Sequence, residues 1–330
     1  MPIPLSVLDL APVPTGTTPS QAIRRTVDLA QLAERLGFVR YWFAEHHGMP
    51  SVASSAPEIL IGHIAAATKN LRVGSGGIML PNHTPLKVAE IFRTLAALHP
   101  GRIDLGLGRA PGSDQNASRA LRASDGHDFG ALLSDLLAFT GQIPFTDRHP
   151  FHKVVAVPDD VQLPPIWILG SSGASAQMAG AAGMGYSFAS HFSEAPAGPA
   201  FNAYRDSFEP SPQFPKPHAI LGVAAVCAET NEEASHLATT MDLAWLRIRR
   251  GEFRPLPSPQ EAQAYAYTEA ERHAVREYRC RTVIGAPEAV RARIEIMARD
   301  SGADEVMVVT NLHGHAERLR SYELLAQAFK

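Results

Sequence analysis

Eight apolar, β-branched-rich runs alternate with amphipathic stretches along nearly the whole chain, and no other feature limits the fold as much. The runs fall at residues 4–9, 39–44, 71–78, 102–108, 165–170, 186–190, 219–227 and 305–309. Helical periodicity marks 21–36, 57–68, 85–98, 175–182, 232–250 and 287–299, several opening on Pro or Ser and closing before Gly37, Gly101, Gly183 or Gly302. Strict βα alternation calls for a parallel sheet covered on both faces. Eight such units in 330 residues favour closure into a (β/α)8 TIM barrel, with an open doubly wound sheet as the alternative. Two connections exceed the minimal unit, at 141–165 and 251–278, and are expected as insertions: either lids over a site or surface decoration. No repeat, low-complexity tract or linker divides the chain, so residues 1–330 are expected as one domain.

Composition narrows the partners. Hydrophobic residues make up 45% of the chain, its net charge is -3, and its basic residues are scattered, which argues against nucleic acid and anionic membranes and for a small molecule. Cys227 and Cys280 form no disulfide framework and have no metal-site spacing, as expected in a reducing cytoplasm. No basic region precedes the first apolar residues and no apolar run reaches membrane-spanning length.

The chemistry-bearing residues cluster where strands end. Glu45-His46-His47 closes the second run, at the strand end where barrels of this kind build their sites; the plainer reading is a pair of core-edge histidines bonded to backbone carbonyls. The third run carries Gly74-Ser75-Gly76-Gly77, which suits either a bend at the rim or a flat ring pressed against the backbone. The fourth ends in Gly106-Leu107-Gly108-Arg109-Ala110-Pro111-Gly112. Its G-x-G-x-x-x-G spacing departs from the dinucleotide fingerprint, and the acidic residues downstream, Asp125 and Asp128, sit in a polar loop. Arg109 is a candidate for a phosphate or a negatively charged ring edge, or else a surface ion pair. After the fifth run, Gly170-Ser171-Ser172-Gly173-Ala174-Ser175 leads into a helix of small residues, a phosphate-binding turn or an ordinary serine cap. His46, His47, His83 and His191 could all reach a barrel mouth. Adjacent strand histidines diverge, however, and no paired metal motif is present, so no metal is expected.

Taken in order, Tyr41-Trp42-Phe43-Ala44-Glu45-His46-His47, Arg72-Val73-Gly74-Ser75-Gly76-Gly77-Ile78, Pro100-Gly101-Arg102-Ile103-Asp104-Leu105-Gly106-Leu107-Gly108-Arg109 and Leu169-Gly170-Ser171-Ser172 resemble the bacterial luciferase-like flavin monooxygenase family. The likeness is to its short single-chain members. It covers nearly the whole chain, including the stretch from Ile284-Gly285-Ala286-Pro287-Glu288 to Met307-Val308-Val309.

The resemblance implies a luciferase-like TIM barrel with inserted loops, a homodimer, and monooxygenation of a small organic substrate by reduced FMN and oxygen through a C4a-peroxyflavin. Carried over by position, His46 matches the histidine assigned to proton transfer, Glu45 lies in the adjoining flavin-contact position, and Gly76 and Gly77 match a pair whose peptide is commonly cis. Arg109 matches a flavin-contacting arginine, and Gly170, Ser171, Ser172 and Ser175 the phosphate turn. Trp42, Phe43, Met79, Phe188 and Phe192 would form an apolar wall. Reduced FMN would come from a separate NAD(P)H-dependent flavin reductase. The alternatives are a deazaflavin-dependent hydride-transfer enzyme, since the same barrel family includes such relatives, and a non-catalytic flavin-binding protein.

Overall fold

The computed structural model describes residues 3–110, 112–124 and 128–330; Pro111 and Asp125, named above, lie outside them. Ten strands form one sheet: β1 (Leu5–Asp9), β2 (Arg40–Phe43), β3 (Arg72–Ser75), β4 (Ile78–Met79), β5 (Ile103–Gly108), β6 (Ile166–Gly170), β7 (Gly185–Phe188), β8 (Ala219–Cys227), β9 (Thr282–Gly285) and β10 (Glu305–Val309). All pairings are parallel. β10 bonds to β8 on one side and β1 on the other, which closes eight strands into a barrel, the (β/α)8 architecture expected from the alternation. β4 resumes the third run beyond Gly76-Gly77 and pairs with β5. β9, absent from the expected strands, pairs with the last residues of β8. No helix among the described residues is long and apolar enough to cross a membrane.

The helices begin and end where their capping chemistry dictates. Thr18 accepts a hydrogen bond from the Gln21 amide while the Gln21 side chain accepts from the Thr18 amide, so the first helix starts at Pro19, two residues before its apolar periodicity. It stops at Gly37, whose φ of 88° needs a residue without Cβ. Pro85–Leu98 agrees with its expected bounds.

Alternation along each strand sorts residues into two layers. Val7, Tyr41, Phe43, Val73, Leu105, Ile168 and Phe188 face the helices. Leu8, Trp42, Ala44, Trp167, Ile220, Ala224, Met307 and Val309 fill the barrel. Phe43 and Phe188 are therefore not part of a ligand wall; one-residue parity puts them on the outer face. Asp9 likewise points outward, where it bonds the Tyr41 hydroxyl and pairs with Arg318 at 2.8 Å.

At the strand starts, the barrel floor is ionic. Arg40 reaches Asp104 at 2.9 Å and Glu305 at 2.9 Å, and its guanidinium lies 4.6 Å from the centroid of Trp167. Arg72 and the Trp42 indole also donate to Asp104, and His218 and Ser6 bond Glu305. Burial alone would raise both carboxyl pKa values, but the facing cations and hydrogen bonds win and both end lowered.

The two insertions go to opposite ends. Segment 141–165 leads into the start of β6, and Arg93 holds its neighbourhood through the carbonyls of Thr140 and Ala156, at the floor end and away from any site at the strand C-termini. Segment 251–278 returns to the mouth, where the Leu256 amide donates to the Val13 carbonyl and its carbonyl accepts from the Thr15 amide in the loop after β1, while the Val13 amide donates to the Ser51 carbonyl beyond β2.

Candidate active site

Because every barrel strand is parallel, the residues following β2, β3, β5, β6 and β7 converge on one rim. Its hub is Glu45, fully buried. The carboxylate accepts from the Met79 amide at 2.9 Å, Asn82 Nδ2 at 2.8 Å, His83 Nε2 at 3.0 Å and His47 Nε2 at 2.9 Å. Burial pushes its pKa up, but the bonds from His83, Asn82 and His47 outweigh that and leave it lowered, so it stays an anion. With these partners Glu45 works as a clamp between the ends of β2 and β4.

His83 shows the mirror effect. Burial disfavours its proton, yet the bond to Glu45 and that charge leave its pKa raised. The linkage has a definite sign: the His83 contribution is full below the unfolded imidazole value and fades as pH rises through the raised one, while that of Glu45 fades as pH falls through its lowered one. His83→Gln is therefore expected to cost about 1 kcal/mol near pH 6 and progressively less by pH 8.5, read as the difference from the parent in urea unfolding at each pH. A cost that does not change with pH would show that His83 is held there as a neutral ring.

His46 and His47 diverge, as alternation requires. His47 turns to Glu45, while His46 Nδ1 lies 3.0 Å from the Gly112 carbonyl and its amide bonds the Ser54 carbonyl at 3.0 Å. A carbonyl can only accept, so Nδ1 carries the proton and donates, leaving the Nε2 lone pair uncommitted. Burial lowers the His46 pKa, against the smaller opposing effects of Gly112 and Glu45.

The Gly76-Gly77 peptide is cis. A Cβ on Gly76 would sit 2.7 Å from Leu8 Cδ1, and one on Gly77 2.8 Å from the Gly106 carbonyl oxygen. Contact with backbone thus requires glycine at 77, while at 76 the neighbour is the end of the Leu8 side chain. Arg109, just beyond β5, is exposed and makes no ion pair or hydrogen bond among the described residues. On the next strand, Ser172 stands at the N-terminus of the helix Gly173–Ala181 without capping it through its side chain. An ordinary serine cap would have taken one of those amides. Ser175 instead donates to the Ser172 carbonyl at 2.9 Å and lies 3.2 Å from the Tyr186 hydroxyl, close over Gly170. Ser171 is half-buried beside it.

His191 has an orientation that is not readable from its sequence neighbours. It folds inward: its amide bonds the Gly222 carbonyl at 3.1 Å, drawing the loop after β7 across β8. Of the remaining expected wall, Trp42 is fully buried inside the barrel, Met79 is half-buried and Phe192 is 65% exposed.

Fold and rim together define a (β/α)8 barrel with a cluster of ionisable side chains at the strand C-termini. The family model for luciferase-like monooxygenases matches residues 3–305, and the chain belongs to that family. It is 42% identical over 322 residues to a luciferase-like monooxygenase of Escherichia coli K12, covering 98% of this chain and 96% of that one. It is 32% identical to the N-acetyl-S-alkylcysteine monooxygenase of Bacillus subtilis, over 99% and 98% of the two chains. Among solved structures, apo-MsnO8 superposes with a TM-score of 0.86 at 39% identity, covering 99% and 97%. Two more distant barrels share the fold alone. One is an FMN complex of the oxygenating constituent of 3,6-diketocamphane monooxygenase from Pseudomonas putida (TM-score 0.73, 18% identity, 100% and 98% covered). The other is an F420-dependent secondary alcohol dehydrogenase (0.67, 14%, 100% and 100%).

Proposed function

We propose that this monooxygenase binds reduced FMN at the barrel mouth and uses it with oxygen on a small organic substrate, with His46 moving the proton. The observation that carries this reading is the pairing, on one rim, of Arg109, a cation without a partner among the described residues, with a helix N-terminus whose serine side chain caps none of its amides. The residues fit a phosphate-bearing flat ring: Ser171, Ser172 and Ser175 with the first amides of the helix at Gly173 for the phosphate, Arg109 for the ring edge, and the glycines after β3 where no side chain intrudes. Glu45, saturated by its own loops, supports this site by holding the rim. Bound reduced FMN would supply the electrons that activate oxygen. The chain's own part is to keep water out with the apolar barrel interior around Trp42, Ala44 and Val309 and to accept or return a proton at His46 Nε2.

FMN is favoured over a deazaflavin with an acidic tail because the helix after the serine turn, Gly173–Ala181, carries no Lys or Arg to receive that tail. The reduced coenzyme would come from a separate NAD(P)H-dependent reductase in the cytoplasm, and the working form would be a homodimer. The direct test is oxygen consumption with reduced FMN across aldehydes, alkanesulfonates and N-acetyl-S-alkylcysteines. Oxidation of no substrate in the panel, with tighter binding of the deazaflavin, would overturn the proposal. Arg109→Ala is expected to weaken reduced FMN binding about ten- to a hundredfold in an anaerobic titration, as for loss of one charge-assisted contact. Unchanged affinity would take Arg109 out of the site.

A further inference from the structure

We infer that His191 contacts the substrate, donating a hydrogen bond from Nε2–H to an acceptor oxygen beside the place where His46 works. This rests on the monooxygenase reading above and adds to it a recognition element. Gly222 lies on the inner face of β8, in register between Ile220 and Ala224, which both point into the barrel. The imidazole of His191 lies across it: a Cβ on Gly222 would come 3.1 Å from Nδ1 and 3.4 Å from Cε1. The ring occupies the space a side chain there would fill, so the glycine makes room for the histidine.

The two ring nitrogens have different fates. Nδ1 is buried against this backbone and has no hydrogen-bond partner. The Gly222 carbonyl nearby already takes the His191 amide and is not in hydrogen-bond geometry with Nδ1, so a proton there would be a poorly satisfied donor, whereas a lone pair tolerates the contact. The proton therefore sits on Nε2, which makes no bond within the described protein although the residue as a whole is only half-buried. Phe192 packs edge-on against the ring, 4.8 Å between centroids at 85°, and fixes its plane. Burial drives the pKa of His191 down to about 4 against the opposing pull of the Gly222 carbonyl, with the nearby His46 pushing the same way as burial, so the ring stays neutral at working pH. A neutral ring with one free N–H and no free lone pair is a donor only. It suits a carbonyl or carboxylate oxygen, and it leaves proton transfer to His46, whose free atom is a lone pair.

The test uses the full-length protein with two probes, decanal for a carbonyl and N-acetyl-S-methylcysteine for a carboxylate. Imidazole 15N spectra should show His191 as the neutral Nε2–H tautomer; an Nδ1–H tautomer overturns the inference whatever the activity. By calorimetry, His191→Ala should weaken binding of at least one probe about tenfold while FMN affinity stays within a few-fold, and His191→Gln, which keeps an N–H, should recover part of the loss. Which probe responds identifies the acceptor. Probe affinities unchanged in His191→Ala overturn the contact. Failure of the parent protein to consume oxygen with reduced FMN would instead strike the function proposed above, and is distinct from either result.

Discussion

With His46 replaced by alanine, turnover is expected to fall by about 10²–10⁴ while flavin affinity stays within a few-fold, the mark of a lost proton-transfer group rather than a lost binding contact. The geometry behind this is the division of labour in the ring: Nδ1 is tied to the Gly112 carbonyl and Nε2 is left with its lone pair. Since burial lowers the His46 pKa, the base is formed below the usual imidazole value, and kcat/KM should climb with pH along a limb centred under about 6.5 and flatten above it. His47→Ala should cost less, because that ring serves the Glu45 clamp. Equal losses in the two variants, or failure of the His46 variant to fold, would make His46 a packing residue.

The largest effect on stability is expected at the floor. Arg40 is 7% exposed and sits between Asp104 and Glu305, at 0% and 1%. Arg40→Met should destabilise the fold by about 3–5 kcal/mol at pH 7, since it leaves two buried carboxylates short of a counterion. The sign with pH follows. In the parent both carboxyl pKa values are lowered, so their contribution is present above the unfolded carboxyl range and is lost as pH falls through the folded values. Removing Arg40 raises those folded values, and acid unfolding should begin at a higher pH. Urea unfolding at pH 7 with an acid titration of each protein measures both. A cost below about 1 kcal/mol would mean that Arg72 and His218 suffice to hold the carboxylates.

Much of the barrel was legible because its signal is periodic. All eight closing strands lie where apolar runs alternate with amphipathic ones, and the resemblance of the strand-end motifs fixed the family. The failures have local causes. Thr282–Gly285 is four residues directly after a polar helix, too short to show alternation, and it is a strand because β8 outruns β7 and exposes an edge there. Phe43 and Phe188 looked suited to a ligand wall by residue type, but face depends on parity, which apolar runs buried on both sides conceal. The floor network joins Arg40, Asp104 and Glu305, residues so far apart in sequence that no local pattern pairs them. At the site, the place of Glu45 after the strand is visible in sequence, while the four groups converging on its carboxylate, His47 after β2 and Met79, Asn82 and His83 at the end of β4 and the turn after it, are not. The inward turn of His191 depends on one backbone bond to Gly222, which composition does not announce.

Closure of the barrel by β10 sets a schedule for synthesis. The partner of Leu5 is Val306, so the outer edge of β1 leaves the ribosome about 300 residues before the strand that covers it. At translation speeds of about 5–20 residues per second, that apolar edge waits on the order of 15–60 s, long enough for a neighbouring nascent chain to compete for it. The yield of folded protein should therefore depend on how fast and how crowded its translation is, through one strand pairing that takes no part in the chemistry at the mouth.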